Sequence, residues 1–120
     1  MIKADELKAE ISLVQEYYQL LKDYLSGAEY DISEIRGCIH SLKERLSKVR
    51  LLYIAYCLER SGKEINLPID SLLNQMDFAL ALIESNPQQS RAIIQMALAI
   101  SPTKIEDIIA FLDFLKERLI

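Results

Sequence analysis

The side chains best suited to bind an anion lie along one long helical segment. Four basic residues, with spacings of four, three and seven, share one side of this helix: Arg36, His40, Lys43 and Arg50. Such a row of positive charge could contact the phosphates of RNA or another anion. It could also be a solvated flank that pairs with acids such as Glu6 or Glu10. We favour the flank and keep the anion or nucleic-acid contact as a candidate site.

His40 is the only histidine in the chain, so it is the first residue to consider as a general base. Together with Arg36 it resembles the Arg-x4-His signature of the HEPN ribonucleases, a family of small helical proteins. Only three residues separate the pair here, so the signature is not met. The sequence has no glycine-rich phosphate loop, no Glu-x-x-His pair and no Cys–His pairing suited to nucleophilic catalysis. We therefore expect no catalytic residues, no metal site and no cofactor.

A second candidate site is a corner near the C-terminus. The stretch MALAISPTKIEDII resembles the helix-turn-helix family, in which a second helix reads the major groove of DNA. Leu98, Ala99, Ile100 and Ser101 match the turn of that motif. Ile105 matches a buried position of its second helix, and Ile108 matches the next one. The resemblance implies that residues 91–112 would contact DNA.

The charges of this corner favour a structural role. Residues 102–113 of the second helix carry Glu106, Asp107 and Asp113 against a single lysine, Lys104, and carboxylates are repelled by DNA phosphates. Ala99 also replaces the glycine of the turn. We interpret 91–112 as a tight corner between packed helices, with DNA binding as the alternative.

Composition points to one small acidic domain. The chain has 120 residues, of which 51% are hydrophobic, and a net charge of −4, so we expect a single domain over 1–120. A pI of about 5.0 does not attract nucleic acid or an anionic membrane to the chain as a whole. The longest apolar runs are too short to span a bilayer, and the N-terminal residues do not resemble a signal peptide. Cys38 and Cys57 lie far apart on one helix, which predicts free thiols in the cytoplasm.

Proline and glycine punctuate the chain into five helices, so the predicted fold class is all-α. The helices are expected at about 3–26, 31–61, 68–85, 87–99 and 102–119. Gly27 and Gly62 should close the first two helices in a left-handed conformation. The Asn86–Pro87 and Ser101–Pro102 pairs should start the last two helices.

Heptad spacing predicts how the helices pack. Helices 1 and 2 carry apolar residues at alternating steps of three and four, so we expect a long antiparallel hairpin. From Leu51 to Leu58, helix 2 is apolar all round, which predicts that this segment is enclosed. The three shorter helices should pack on the open end of the hairpin and enclose it.

Helix 1 also carries a second apolar stripe, about 100° round from its heptad seam. The residues of this stripe are Leu13, Tyr17, Leu20 and Tyr24. Because helix 2 can cover only one of the two stripes, we expect this one to join two copies of the chain or to bind another protein. The sequence therefore predicts a non-catalytic helical interaction module or a small subunit of a larger assembly. The alternative is a nucleic-acid-binding regulator that uses the corner or the basic line.

Overall fold

The computed structural model describes residues 4–99 and 105–119, and the chain there forms five α-helices. They are α1 (Ala4–Ser26), α2 (Ile32–Ser61), α3 (Asp70–Ser85), α4 (Arg91–Ala99) and α5 (Ile105–Arg118). No strand occurs in these described ranges. The predicted fold class is confirmed: α1 and α2 form a long hairpin, and three shorter helices pack on it.

The heptad seams of α1 and α2 face each other and form the core of the hairpin. Each seam is fully buried along most of its length, from Leu7 to Leu21 on α1 and from Ile35 to Val49 on α2. The turn between the helices ends at Asp31, whose carboxylate accepts hydrogen bonds from the backbone N–H groups of Ser33 at 3.0 Å and Glu34 at 3.3 Å. This cap satisfies amide groups that the first turn of α2 would otherwise leave without partners.

The shorter helices pack at different places. α3 lies on α2, α4 lies on α3, and α5 lies on α1. The Gln75 side chain donates to the carbonyl of Ala97 at 3.3 Å and joins α3 to α4. Gln15 donates to Asp113 at 3.2 Å and joins α1 to α5.

A brace ties the loops together at the closed end of the hairpin. The Tyr30 hydroxyl, just before α2, donates to the carbonyl of Gln89 at 2.6 Å. The Arg91 guanidinium lies 5.5 Å from the centroid of the same tyrosine ring. The α1–α2 connection is therefore fastened to the α3–α4 connection, although the two are far apart in sequence.

The prediction that residues 51–58 are enclosed was wrong. Leu51 is 67% exposed and Leu58 is 50% exposed, and the residues between them are only half buried. Leu51 and Leu58 lie on the same face of α2 as the exposed His40 and Glu44, and α2 is also the longest of the three helices, with 30 residues, about 45 Å, against 23 in α1 and 16 in α3. The last turns of α2 extend past both neighbours.

The start of α4 also differs from the prediction. α4 begins at Arg91, because Asn86 to Gln89 forms a separate turn and the Ser90 hydroxyl accepts the backbone N–H of Ile93 at 3.4 Å. Asn-Pro initiates a turn here instead of a helix. The predicted start of α5 at Ser101–Pro102 lies outside the described residues, as does Ile100.

The glycine predictions divide. Gly62 has φ 71° and donates its N–H to the carbonyl of Leu58 at 2.9 Å, so the left-handed closure of α2 is confirmed. The same prediction for Gly27 was wrong, because among the described glycines only Gly62 has a positive φ. A Cβ at Gly27 would lie 3.0 Å from the carbonyl oxygen of Asp23, so close approach of the backbone favours glycine there.

Two alanine substitutions test this account of α2. Gly37→Ala should raise the free energy of unfolding by about 0.5–1 kcal/mol, because Gly37 is helical and exposed and an added Cβ meets nothing within 4 Å. Gly62→Ala should lower it by about 1 kcal/mol, because alanine is strained at positive φ. Urea denaturation measures both changes. Equal effects of the two substitutions would contradict the assigned backbone conformations.

Candidate interaction site

A ladder of ion pairs joins α2 to α3. Three basic residues of α2, seven positions apart, meet three acidic residues of α3, also seven apart and in reverse order: Arg36 with Glu84, Lys43 with Asp77, and Arg50 with Asp70. The Arg36–Glu84 pair spans 3.8 Å. Each step along α2 matches an equal step backwards along α3, so the ladder records an antiparallel register between the two helices.

The ladder accounts for most of the basic line found in the sequence. The three cations have partners on α3, instead of Glu6 or Glu10 as expected for the flank. Glu10 is buried and pairs with Arg45 at 3.3 Å and Lys48 at 2.9 Å. The sequence signal that was missed is the matching interval of seven between opposite charges on two helices. An anion or nucleic-acid contact at this line stays a prediction.

His40 differs from the rest of the basic line because it is exposed on the outer face of α2. It borders a shallow depression with Lys43, Glu44 and Ser47. The cysteine nearest to it in the sequence, Cys38, is buried on a different side, where its thiol donates to the carbonyl of Tyr17 at 3.4 Å. Burial raises the pKa of the Cys38 thiol, which disfavours the reactive thiolate.

The second stripe of α1 is mostly covered within the chain. Leu13, Tyr17 and Tyr24 are half buried, and Leu20 is 42% exposed. Tyr24 lies beside α2, where its hydroxyl donates to Glu34 at 3.3 Å. The stripe therefore leaves a smaller apolar surface than its composition indicates. Its role as an interface stays a prediction.

The larger apolar surface lies on α2. Residues on its outer face, opposite α1 and α3, form what we call the α2 ridge: His40, Glu44, Ser47, Leu51, Ala55 and Leu58. The ridge is polar as far as Ser47 and apolar from Leu51 onwards. Its apolar part begins next to Arg50, which pairs with Asp70 at the start of α3, and Leu51 and Leu58 in this part are exposed.

Aromatic side chains extend this apolar surface around the end of α2. The ring of Tyr53 meets Phe111 of α5 edge to face, with centroids 6.5 Å apart. Phe114, one turn later on α5, is half exposed, and the guanidinium of Arg118 lies 4.2 Å from its ring centroid. α5 therefore reaches the same end of the molecule with exposed aromatic rings of its own.

At the predicted helix-turn-helix corner, α4 and α5 pack mainly on other helices and not on each other. α4 makes its main contacts with α3, and α5 makes its main contacts with α1. Leu98 and Ile108 are buried, whereas Ile105, matched to a buried position of the motif, is only half buried. Ile100 and Ser101 of the turn lie outside the described residues. Glu106, Asp107 and Asp113 are exposed on α5. DNA binding at this corner stays a prediction.

A cavity of about 320 Å³ lies between α1, α4 and α5. Its lining combines four aliphatic residues with four polar ones, which are Tyr18, Lys22, Gln95 and Glu106. The Tyr18 hydroxyl donates to Glu106 at 3.3 Å. Burial, followed by the negative charge of Glu106 and this hydrogen bond, raises the pKa of Tyr18 to about 12.

Comparisons add no known protein to this description. No family model, no curated protein and no solved structure matches the chain. In the part of the chain that the structure describes, no cluster of three or more His, Cys, Asp or Glu side chains could hold a metal ion. None of the described helices combines the length and apolar character needed to cross a bilayer.

Charge reversal tests the ladder. Lys43→Glu should lower the free energy of unfolding by about 1 kcal/mol or less, because the Lys43 and Asp77 side chains are both partly exposed and screened by solvent. The matched double variant Lys43→Glu with Asp77→Lys should recover most of that loss. Urea denaturation of the four proteins in a double-mutant cycle measures the coupling. Absence of any coupling would mean that the two side chains do not pair in solution.

Alkaline titration tests the Tyr18–Glu106 contact. The folded chain holds the Tyr18 proton more tightly than the unfolded chain, so the resulting stabilisation is fully present below about pH 10 and is lost as the pH rises to about 12. Tyr18→Phe should remove this part of the pH dependence. Tyrosinate absorbance should lose its component near pH 12 in the same variant. An unchanged titration would contradict the contact.

Proposed function

We propose that this chain is a non-catalytic helical interaction module that docks on another protein chain through the apolar end of the α2 ridge. It would act as a homo-oligomer or as a small subunit of a larger assembly. Docking would bury Leu51 and Leu58 against a helix of the partner.

The exposure of Leu51 and Leu58 is the observation that carries the proposal. On its inner faces α2 buries its apolar residues completely from Ile35 to Val49, whereas these two leucines lie 67% and 50% in solvent. Neither is needed to hold α1 or α3, because both helices pack on the earlier part of α2. Neighbouring apolar side chains left in water on one face of a helix are typical of a protein-binding surface.

Other features of the site support a binding role over a catalytic one. The charges that drew attention in the sequence are engaged within the chain: three cations of the basic line pair with α3, and Glu106 accepts the Tyr18 hydroxyl. Cys38 and Cys57 are both free. Free thiols favour a reducing compartment, so we place the module in the cytoplasm.

Site-specific photo-crosslinking in cells tests the docking surface. A photoreactive amino acid at Leu51 should give discrete adducts with protein, because that side chain would be buried in the interface. The same group at Glu44 is a matched control, since it lies two helical turns earlier on the same exposed ridge. A third variant at Leu20 compares the α1 stripe with the α2 ridge.

The three positions separate the outcomes. Adducts at Leu51 and none at Glu44 would support docking at the end of α2. Adducts at Leu20 alone would show that the docking surface is the α1 stripe, as predicted from the sequence. Equal labelling at all three positions, or none at Leu51, would contradict the proposal.

A further inference from the structure

The apolar part of the α2 ridge is short and nearly symmetric about its own centre. Leu51 and Leu58 lie seven residues apart on one line, with Ala55 between them, and the ridge is polar immediately before Leu51. A stripe of this kind can cover itself when two copies lie side by side in opposite directions. Leu51 of each copy then packs against Leu58 of the other, about a two-fold axis near residues 54 and 55.

The charges at the two ends of the stripe fit this arrangement. At 100° per residue, Lys48 and Glu59 lie about 60° and about 80° round the helix from Leu51, on the same flank. Both side chains are exposed, and Glu59 also has an interaction within its own chain. In an antiparallel pair related by a two-fold axis, equivalent flanks meet, so Lys48 of one copy approaches Glu59 of the other at both ends of the stripe. Parallel pairing brings opposite flanks together and loses both contacts.

The ion pairs within the chain allow Lys48 to take part. Lys48 contacts the buried Glu10 at 2.9 Å, and Arg45 contacts the same carboxylate at 3.3 Å. Because Glu10 has two cations, it keeps Arg45 as its partner when Lys48 turns towards a second copy. The carboxylate therefore does not lose its charge compensation on association.

From this geometry we propose that the partner of the docking surface is a second copy of the chain, bound antiparallel through residues 48–59 of α2. The inference rests on the proposed function and names the occupant of that site. The stripe covers about two helical turns, so each copy would bury less area than the roughly 800 Å² per partner of a standard interface. The dimer is therefore weak, with a Kd on the order of 100 µM.

Analytical ultracentrifugation of the purified chain over a wide concentration range tests the pairing. Glu59→Lys should raise the Kd about tenfold, because it places lysine against Lys48 at both symmetry-related contacts. The double variant Glu59→Lys with Lys48→Glu should restore association. Asp107→Lys is a matched control, since it changes the same amount of charge at an exposed position of α5. Circular dichroism checks that each variant is folded.

Thiol crosslinking determines the direction of the pair. In a Cys57→Ser background, Leu51→Cys and Leu58→Cys are prepared separately and treated with a short bifunctional thiol reagent. The antiparallel pair predicts crosslinked dimer only when the two variants are mixed. Crosslinking of either variant with itself would overturn the proposed direction.

Two results would overturn the inference in different ways. A purified chain that stays monomeric throughout would exclude the second copy as occupant, although photo-crosslinking at Leu51 to another protein would still support the docking function. A dimer whose Kd does not respond to Glu59→Lys would exclude the proposed register. Association that Glu59→Lys weakens and the double variant restores would support it.

Discussion

The register between α2 and its two neighbours determines the rest of the structure. α1 packs beside α2 through the buried heptad seams, and α3 lies on another side of α2 through a ladder of opposite charges at intervals of seven. The apolar seam supplies most of the stabilisation, because burial of aliphatic side chains outweighs partly exposed ion pairs. The ladder sets the antiparallel direction of α3 and its position along α2. Because its last rung joins Arg50 to Asp70, it also marks where α2 loses its cover.

Periodicity within one helix was the most reliable guide from the sequence. The steps of three and four in α1 and α2 predicted both helices and the faces that meet, since a repeating apolar face has to be buried. Relations between helices were harder to predict. The acids at 70, 77 and 84 match the bases at 36, 43 and 50 in spacing and sign, but such a match becomes informative only once α3 is placed beside α2.

The wrong prediction for residues 51–58 and the interface prediction for the α1 stripe have one physical origin. Enclosure of residues 51–58 was inferred from their composition, without comparing the lengths of the helices available to cover them. The α1 stripe was assigned to an interface because α2 was expected to cover one face only, whereas Tyr24 also lies against α2 and hydrogen-bonds Glu34. Composition states how much apolar surface a helix carries. Helix lengths and the register decide how much of that surface stays in water.

The brace between Tyr30 and Gln89 holds one end of the molecule more firmly than the other. At the closed end, two distant connections are fastened by a hydrogen bond and by the cation over the tyrosine ring. At the opposite end, residues 50–61 of α2 are all half buried or exposed. Local opening should therefore begin there, well below the free energy of global unfolding. A partner that binds this end would also suppress its fraying, so part of the binding free energy would be spent on ordering the helix terminus.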